Sequence, residues 1–527
     1  MSESDAGLGR RADPRPYWPK RTPAVIWSRW RRLRRAVQTL VLALFVYLLF
    51  AALAGRAALP LADLFFRLDP LAALVGMLAA RAWMPRLGLA LLTLGLTLAL
   101  GRAWCGWLCP LGTILEWTSF PAARRRAVAL PSRWRGLKYL LLGLTVTAAL
   151  FGSLAFLAFD PLALLTRAAA AAILPALDHT VTALEVTLYR VPWLEPLADG
   201  LEGLLRGPVL PARQPVFAQN LVLAALLAGL IALNALADRF WCRYLCPLGA
   251  LLGLVARASL LRPAIGRACN RCARCAGACP LGAIGGDGSY QIAPAECTVC
   301  LDCLVACPQP GNGFRLHLGL DPAQSYDPTR RQLLGTLLVG AAGIGLLRTG
   351  ARAQAPHSQL VRPPGAPGEG AFLARCLRCG QCLRVCPTAG LQPALLEAGL
   401  EGLWTPRLVP RLGYCDYGCN ACGQVCPSGA IAPLELEAKR AAVIGLAAVD
   451  RNRCLPWAYD VPCIVCEEMC PVPDKAIELE EVTVTGEDGI PIVLQRPHVR
   501  QALCIGCGIC EYQCPMGGQA AIRVYHP

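Results

Sequence analysis

Histidine and methionine are scarce in this chain, and the haem-attachment sequence Cys-x-x-Cys-His is missing. Only five histidines and five methionines occur among the 527 residues. Covalent c-type haem requires that sequence, so no haem is predicted, and no nucleotide cofactor is predicted either. Cysteine, by contrast, is abundant, with 28 copies.

Acidic residues are also few, since 35 aspartates and glutamates stand against 51 lysines and arginines, for a net charge of +16. A nucleic-acid-binding protein would group its arginines with exposed aromatics in a soluble module. Here the basic residues flank apolar runs, and the densest cluster, Ser28-Arg29-Trp30-Arg31-Arg32-Leu33-Arg34-Arg35, precedes the first run. This is typical of a cytoplasmic flank. We therefore predict a membrane partner, no nucleic acid, and a basic cytoplasmic tail at 1–35.

Apolar residues make up 55% of the chain and are concentrated in its first half. Four stretches are long enough, at about 20 residues, to cross a ~30 Å hydrocarbon core. They lie at 36–58, 84–103, 137–158 and 217–237. The segment at 59–83 is interrupted by charges and is predicted to be a short interfacial or re-entrant piece. The sequence thus predicts an α-helical, four-span membrane domain at 36–260.

The connections between these stretches differ in charge. The connection between the second and third stretches is basic, with Arg124, Arg125, Arg126, Arg133, Arg135 and Lys138. The connection between the third and fourth stretches is acidic, with Asp160, Asp178, Glu185, Glu195, Asp199 and Glu202. Because cytoplasmic loops carry the basic excess, we expect residue 240 to return to the cytoplasmic side.

The membrane domain contains an internal duplication. Leu68-Asp69-Pro70-Leu71 before the second stretch is echoed by Phe159-Asp160-Pro161-Leu162 before the fourth. The endings match as well, as Trp104-Cys105-Gly106-Trp107-Leu108-Cys109-Pro110-Leu111-Gly112 and as Trp241-Cys242-Arg243-Tyr244-Leu245-Cys246-Pro247-Leu248-Gly249. Repeat-built membrane proteins often place their working site at the repeat interface.

Twenty-four cysteines form six sets that end in Cys-Pro. Residues 261–318 hold Cys269, Cys272, Cys275, Cys279 and Cys297, Cys300, Cys303, Cys307. Residues 371–527 hold Cys376, Cys379, Cys382, Cys386; Cys415, Cys419, Cys422, Cys426; Cys454, Cys463, Cys466, Cys470; and Cys504, Cys507, Cys510, Cys514. Zinc sites also use pairs of Cys-x-x-Cys, but they do not repeat a third cysteine followed by x3-Cys-Pro. The pattern predicts six [4Fe-4S] clusters.

In the bacterial pattern the fourth cysteine of a set ligates the neighbouring cluster. For 261–318 this predicts one cluster on Cys269, Cys272, Cys275 and Cys307, and another on Cys297, Cys300, Cys303 and Cys279. In 371–527 two pairings remain open, since the first set can pair with the second and the third with the fourth, or the sets can be nested. Both modules are predicted to have an α+β bacterial ferredoxin-like fold.

Four cysteines are left over, Cys105, Cys109, Cys242 and Cys246, all at the predicted cytoplasmic ends of two spans. Their Cys-x3-Cys-Pro spacing does not match a ferredoxin loop. Two such pairs facing each other across the repeat are compatible with a shared cluster, with redox-active thiols or with simple packing.

A linker is predicted at 319–370. Its apolar run at 332–347 follows Thr329-Arg330-Arg331-Gln332-Leu333 and precedes Ala353-Gln354-Ala355, which is the layout of a twin-arginine export signal. The run is predicted to act as a fifth span, or to be cleaved after Ala355. An ordinary helix joining two modules is the alternative.

Two known families resemble the two halves of the chain. Residues 36–318 resemble the NapH/MauN-type membrane ferredoxin subunit through the paired Trp-Cys-x3-Cys-Pro-Leu-Gly motifs and the two-cluster module. Residues 326–527 resemble the NapG/MauM-type polyferredoxin through the twin-arginine sequence, Arg453-Cys454-Leu455-Pro456-Trp457 and Cys504-Ile505-Gly506-Cys507-Gly508. Here the two are fused, which departs from the families' separate subunits.

The resemblance implies a quinol dehydrogenase that passes electrons from the quinol pool to a periplasmic reductase of the nitrate-reductase type, or to a c-type cytochrome. It implies a bacterial inner-membrane protein with its first ferredoxin module cytoplasmic and its polyferredoxin periplasmic. Asp69, Asp160, Glu116 and His179 are candidate acceptors for the protons of quinol, although residues of these types near a membrane face are more often ordinary helix-end or interfacial residues. A reductive maturation factor for a periplasmic metalloenzyme is the alternative, and a redox sensor is disfavoured because no output domain is visible.

Overall fold

Helices make up most of the described residues before 261, and short helices and paired strands joined by loops follow. The computed structural model describes residues 23–53, 61–119, 132–206, 210–211, 214–266, 269–285, 290–308, 313–317, 334–343, 345, 358–485 and 491–526. Several predicted features lie outside these ranges: tail residues 1–22, Arg124 to Arg126, the twin-arginine sequence at 329–333, and the cleavage site at Ala355.

The helical domain comprises the described residues between 23 and 260. Its helices are Pro23–Leu53, Leu64–Arg67, Pro70–Ala80, Ala90–Leu100, Pro110–Trp117, Gly136–Leu150, Pro161–Ala168, Leu174–Tyr189, Glu195–Leu205, Asn220–Ala232 and Pro247–Ala256. Short 3₁₀ segments are Pro85–Leu89, Ser132–Arg135, Ala155–Phe159, Pro192–Leu194 and Leu233–Ala235. Single π-helical turns are Trp104–Leu108, Ala169–Ile173 and Trp241–Leu245.

Four of these helices begin with a proline behind a capping side chain. The carboxylates of Asp69 and Asp160 each accept two backbone N–H groups from the first turn that follows. The sulfurs of Cys109 and Cys246 each accept one such group. Proline suits the first helical position because the N–H it lacks would be unpaired there. The Asp-Pro and Cys-Pro sequences therefore define where these helices start.

The same order of elements occurs twice. In both copies a helix behind Asp-Pro precedes an apolar helix, a π-helical turn that carries Trp-Cys, and a helix behind Cys-Pro; the second copy has Leu174–Tyr189 and Glu195–Leu205 inserted after the first of these helices. The first copy runs from Asp69 to Trp117 and the second from Asp160 to Ala256. The sequence duplication is thus also a structural duplication.

The lengths of the helices differ from the predicted spans. Among the described residues, two helices are long and apolar enough to cross a membrane, Val25–Ala51 and Pro161–Tyr189. The second was not predicted as a span, and 83% of its most apolar window is buried inside the protein. Of the four predicted spans only the first coincides with a long helix. The other three correspond to shorter apolar helices, Pro85–Leu100, Gly136–Leu150 and Asn220–Ala235.

No helix end falls at the boundary predicted between the basic tail, 1–35, and the first span. The helix already begins at Pro23 and includes the arginine cluster. Arg34 is fully buried because its guanidinium pairs with Glu116, and Arg31 lies 3.7 Å from Asp302. Partners elsewhere in the chain therefore neutralise these arginines and allow the helix to extend through them.

A two-set module, residues 261–317, follows the helical domain. Strand β1 (Leu261–Ala264) pairs antiparallel with β2 (Gly313–Leu316), so the two ends of the module lie side by side. Its short helices, Arg274–Ala278 and Asp302–Ala306, each start within a cysteine loop.

A four-set module, residues 358–526, ends the described chain. Its helices are Glu369–Leu373, Gln381–Arg384, Ala421–Gln424, Leu436–Ala441, Leu455–Ala458, Val465–Glu468 and Ile509–Gln513. Its strands are β3 (Leu391–Pro393), β4 (Pro406–Leu408), β5 (Leu446–Val449), β6 (Ile477–Thr485), β7 (Pro491–Val499) and β8 (Ile522–Tyr525). They pair antiparallel as β3 with β4, β5 with β8, and β6 with β7.

The predicted linker ends earlier than residue 370. Val361 is fully buried and forms an isolated bridge with Leu408. The Arg362 guanidinium pairs with Glu369 at 2.5 Å. Gly365 has φ +85° and accepts a hydrogen bond from the Ala432 backbone N–H. The proline- and glycine-rich stretch is therefore an ordered part of the four-set module.

A further apolar helix, Leu334–Gly343, packs against Gly136–Leu150 through small residues. A Cβ on Gly143 would lie 2.6 Å from Thr336, and one on Gly340 would lie 2.9 Å from Thr147. Small residues four apart allow two helix backbones to approach closely. Since residue numbers rise together along the contact, the two helices run parallel.

The two modules contact opposite ends of the same helices. At the start of Pro85–Leu100, Arg86 donates to the Gln424 carbonyl at 3.0 Å in the four-set module. At its end, the Leu98 carbonyl accepts from Leu260 at 2.8 Å, beside the two-set module. The two modules are therefore separated by about the length of this helix, which rises about 1.5 Å per residue.

Candidate iron–sulfur sites and the interior cysteine tetrad

The regular cysteine loops share one backbone feature. In each, the residues two and four positions after the first cysteine have positive φ: Arg271 and Ala273, Val299 and Leu301, Arg378 and Gly380, Gly506 and Gly508. Two left-handed residues curl the loop so that successive cysteines point inward. Such a conformation is rare for side chains like valine and persists mainly at functional sites.

Fourth cysteines cross over between sets in the two-set module. Cys307 is close enough to Cys275 to affect its ionisation, and Cys279 affects both Cys297 and Cys300 in the same way. We name the resulting groups quartet 1 (Cys269, Cys272, Cys275, Cys307) and quartet 2 (Cys297, Cys300, Cys303, Cys279). This is the arrangement predicted from the sequence.

The four-set module resolves the pairing that the sequence left open. Cys426 is close to Cys376, Cys386 to Cys415, Cys514 to Cys454, and Cys470 to Cys510. The first set thus pairs with the second, and the third with the fourth. The groups are quartet 3 (Cys376, Cys379, Cys382, Cys426), quartet 4 (Cys415, Cys419, Cys422, Cys386), quartet 5 (Cys454, Cys463, Cys466, Cys514) and quartet 6 (Cys504, Cys507, Cys510, Cys470).

Three of the quartets line cavities of their own. Quartet 2 lines a cavity of ≈ 430 Å³, quartet 6 one of ≈ 350 Å³ and quartet 5 one of ≈ 370 Å³. A [4Fe-4S] cube spreads its four thiolates more widely than one ion does. Within the described ranges, no three His, Cys, Asp or Glu side chains are grouped to hold a single metal ion.

The donor chemistry of the quartets fits an iron–sulfur cluster. Burial raises the pKa of Cys297, Cys466 and Cys507 to about 12, so these thiols need bound iron to ionise at neutral pH. Backbone N–H groups already point at the sulfurs of Cys279 and Cys470, at 3.2 and 3.3 Å. Hydrogen bonds of this kind stabilise cluster sulfurs and adjust their potential.

The spatial order of the quartets differs from their order in the chain. Quartet 3 meets quartet 4 where Cys382 approaches Cys422. Quartet 4 meets quartet 6, because the Cys415 N–H donates to the Cys507 carbonyl at 2.8 Å. Quartet 6 meets quartet 5 where Cys510 approaches Cys466. The module is therefore a row in the order 3, 4, 6, 5.

Cys105, Cys109, Cys242 and Cys246 come together inside the helical domain, and we call this group the interior tetrad. Each is buried, at 5% to 9% exposure. Each of Cys109, Cys242 and Cys246 is within electrostatic range of Cys105. Helix N-termini behind Cys109 and Cys246 also direct backbone N–H groups at these sulfurs, which favours negative charge.

Two buried arginines flank the interior tetrad, and the sequence analysis missed both. Arg102 and Arg239 are 0% and 1% exposed and lie within electrostatic range of Cys105 and Cys242, respectively. Each stands two residues before the tryptophan of its repeat. The matching offset in the two copies is the signal that would have identified them.

The two-set module docks directly on the interior tetrad. Trp107 donates its indole N–H to the Val299 carbonyl at 3.0 Å. A Cβ on Gly106 would lie 2.0 Å from the Thr298 carbonyl, so only glycine permits this approach. Lys138 pairs with the fully buried Glu296 at 2.6 Å. The loop of quartet 2 is thereby held against the turn that carries Cys105.

The four-set module docks on the other end through quartet 3. The buried Arg167 guanidinium donates to the Arg378 carbonyl at 3.0 Å and lies 4.0 Å from the Trp404 ring centroid. A Cβ on Gly380 would lie 3.1 Å from Arg167. Cys379 and the four interior cysteines belong to one continuous apolar core. Quartet 3 is thus the part of this module nearest to the interior tetrad.

The four candidate proton acceptors have different environments. Asp69 and Asp160 are buried helix caps that lie within hydrogen-bonding reach of each other. His179 is exposed on the Leu174–Tyr189 helix. Glu116 accepts hydrogen bonds from Arg34, Gln38 and Arg239.

Glu116 is therefore a poor proton acceptor. Burial opposes its ionisation, but the guanidinium groups of Arg239 and Arg34 outweigh this and lower its pKa to about 2. The structure thus argues against Glu116 as a proton acceptor. Of the four candidates, it brings only Asp69 and Asp160 together.

Comparison with known proteins finds a 4Fe-4S binding domain and ferredoxin-type relatives. The family model described as a 4Fe-4S binding domain matches residues 82–131 and 219–268, once in each repeat. The ferredoxin-type protein MauM of Methylorubrum extorquens is 38% identical over 209 residues, which cover 38% of this chain and 91% of MauM. Ferredoxin-type protein NapG of Escherichia coli is 41% identical over 193 residues, covering 36% of this chain and 79% of NapG. No solved structure matches.

A putative electron transport protein of Escherichia coli, YccM, is 30% identical over 226 residues, covering 40% of this chain and 50% of YccM. Cysteine loops of the bacterial pattern, together with matches to a 4Fe-4S binding domain, define a ferredoxin-type iron–sulfur electron-transfer protein. By its similarity to MauM and NapG, the chain belongs to the MauM/NapG family of ferredoxin-type proteins.

Proposed function

We propose that this chain is a quinol dehydrogenase that carries electrons across the bacterial inner membrane to a periplasmic reductase or c-type cytochrome. One observation carries the proposal: the interior tetrad lies in a helical domain whose opposite ends hold the two ferredoxin modules. An apolar layer of ~30 Å is too wide for one tunnelling step, and the tetrad provides a position for a redox group within it.

A membrane location is supported by the outer surface of the helical domain. Leu91 and Leu221 are 64% and 79% exposed, and Leu338 on the Leu334–Gly343 helix is 72% exposed. Large apolar side chains that face outward on several helices suit contact with lipid. Four helices running between the modules, three of them short, would cross the bilayer together with their 3₁₀ extensions and capped ends.

The orientation follows from charge and from the Leu334–Gly343 helix. Arginines such as Arg31 and Arg135 lie at the end that holds the two-set module, which favours the cytoplasmic side. The Leu334–Gly343 helix starts beside the two-set module, because it runs parallel to Gly136–Leu150. It would thus carry the chain to the periplasm as a fifth span, in the manner of a NapH-type subunit fused to a NapG-type polyferredoxin.

When bound, [4Fe-4S] clusters supply one-electron carriers on the six quartets. The interior tetrad is proposed to hold a further shared cluster, since Arg102, Arg239 and two helix N-termini offset the charge of four thiolates. Iron analysis tests the count. Six clusters give about 24 irons per chain, and an occupied tetrad raises this to about 28.

Reduction by quinol tests the function itself. Mixing the purified protein with a reduced quinol analogue should bleach the cluster absorbance of both modules. A Cys105→Ser/Cys242→Ser variant should lose bleaching of the four-set module, whereas Cys272→Ser, at the exposed cysteine of quartet 1, should lose only the signal of that quartet. Wild-type protein that is not bleached would exclude quinol oxidation and leave reductive maturation of a metalloenzyme as the better function.

Orientation is tested with alkaline phosphatase fusions. A fusion after residue 526 should be active in cells, since phosphatase folds only after export. A truncated fusion after residue 317, at the end of the two-set module, should be inactive. An inactive fusion at 526 would contradict a periplasmic four-set module.

A further inference from the structure

The two repeats bring a pair of carboxyl groups together in the interior of the helical domain. Asp69 and Asp160 are 0% and 1% exposed. They occupy equivalent positions, each before the proline that opens a helix. Neither residue is part of a cysteine site, and the proposed path of the electrons does not use them.

Each carboxyl uses one oxygen as a helix cap. Asp69 Oδ1 accepts from Leu71 N–H at 2.8 Å, and Asp160 Oδ2 accepts from Leu162 N–H at 2.9 Å. The other oxygens, Asp69 Oδ2 and Asp160 Oδ1, receive no hydrogen bond from a donor in the described ranges. These carboxyls are instead within hydrogen-bonding reach of each other.

No described lysine, arginine or histidine forms an ion pair with this pair. Two groups lie within electrostatic range of Asp160. They are Arg167, which donates to the Arg378 and Ala158 carbonyls, and Cys109 of the interior tetrad. Two ionised carboxylates in contact, buried and without a cation, repel each other strongly. A proton between them removes the repulsion and supplies the missing donor.

We propose that Asp69 and Asp160 share a single proton and form a proton-binding site between the interior tetrad and quartet 3. The caps hold both carboxyls in place at the repeat interface. The depth of the site is indicated by Thr93, in the middle of the Pro85–Leu100 helix, which donates to the Leu68 carbonyl beside Asp69 at 2.7 Å. The pair therefore lies about midway between the two modules, at a depth where buried acidic side chains commonly bind protons.

Infrared spectroscopy of the full chain tests this site. A protonated carboxyl has a C=O stretching band that a carboxylate lacks and that shifts in deuterated water. Wild-type protein should show one such band that disappears in both Asp69→Asn and Asp160→Asn. In each variant the new amide caps the helix and donates to the remaining carboxylate, so that carboxylate no longer needs the proton.

Asp178→Asn is the matched control. Asp178 is also fully buried, but it has a cationic partner, Arg206, at 2.6 Å, which Asp69 and Asp160 lack. This variant should leave the band unchanged. Absence of the band in wild-type protein, or its survival in both single variants, would overturn the proposal.

The site would be a proton acceptor for quinol oxidation if the proposed function holds, but its test does not depend on that function. A positive infrared result with no quinol reaction would retain the proton site and exclude the quinol dehydrogenase. A quinol reaction in protein that lacks the band would retain the quinol dehydrogenase and exclude the proton site.

Discussion

Individual cysteines were the most predictable residues of this protein, and the charged residues around them were the least. The ligand spacing of a cluster is local, so the six sets could be read directly from Cys-x-x-Cys loops. Arg102 and Arg239 act on the interior tetrad from positions whose burial depends on distant partners, Glu296 and Glu116. Single arginines before apolar runs also occur as ordinary membrane flanks, and only the repeat distinguishes these two.

Replacement of Glu116 should destabilise the helical domain. The fully buried Arg34 depends on this carboxylate, so Glu116→Gln should lower the free energy of unfolding at pH 7 by about 1–3 kcal/mol. Denaturant unfolding followed by circular dichroism measures this. Glu437→Gln, at an exposed ion pair, should change it by less than ~0.5 kcal/mol. Equal effects of the two variants would show that the buried pairing contributes nothing.

The Glu116 carboxylate should also make the free energy of unfolding sensitive to acid. Its pKa in the folded protein, about 2, lies below the ordinary value of 4.5. Its stabilisation is therefore complete above pH 4.5 and is lost as the pH falls toward 2. Over that window Glu116→Gln should lose less stability than the wild-type protein. Parallel pH profiles of the unfolding midpoint would contradict this prediction.

Gly106 should control contact between the interior tetrad and quartet 2. Because a Cβ there would lie 2.0 Å from the Thr298 carbonyl, Gly106→Ala should displace the loop at a cost of about 1–3 kcal/mol. It should also slow electron exchange with the two-set module, measured by freeze-quench EPR. Gly200→Ala, in an exposed helix with open space around the glycine, is the control and should change neither. Unchanged EPR kinetics in Gly106→Ala would show that docking does not need the glycine.

At the scale of elements, helix starts were predictable and helix lengths were not. Asp-Pro and Cys-Pro sequences identify capped starts, and the segment at 59–83, predicted as re-entrant, contains the short Pro70–Ala80 helix. Hydropathy alone could not separate outward-facing helices from Pro161–Tyr189, which is apolar because it is buried by its neighbours. The composition of 363–370 suggested a linker, but the Arg362–Glu369 pair orders that stretch.

The contact between Leu334–Gly343 and Gly136–Leu150 yields a prediction for an element. Gly143→Leu should push these helices apart, because even a Cβ at this position would approach Thr336 to 2.6 Å. Hydrogen exchange in 334–343 should then become at least several-fold faster. Gly335→Leu, at a position with nothing within 4 Å, serves as control. Equal protection in the two variants would contradict the close helix contact.

For the whole molecule, the order of the sites could not be predicted. Pairing of the sets in the four-set module depends on contacts such as Cys415 with Cys507, which bring residues far apart in sequence together. The row 3, 4, 6, 5 places quartet 5 farthest from the helical domain. Tyr459 and Val461, in the long first gap of that set, are 57% and 45% exposed and offer an apolar surface beside the last quartet.

Cutting the chain between its halves should not separate them. The four-set module is held by Arg167, Arg384 and Gln219, and it shares an apolar core with the helical domain. A protease site inserted after residue 350 should thus give two fragments that co-purify in detergent. Inserting the same site between residues 488 and 489, in the connection between β6 and β7, is the control for cleavage itself. Separate elution of the fragments from the first cut would show that the linker alone joins the halves.

The difference between Gly106 and its counterpart in the second repeat, Arg243, makes the duplicated domain asymmetric. Gly106 admits the Thr298 carbonyl, whereas the Arg243 guanidinium lies beside Gly282 of the same two-set module. One module therefore contacts both repeats, through a close backbone approach in the first and a long cationic side chain in the second. The two pairs of interior cysteines consequently have different surroundings, although their sequences repeat the same motif.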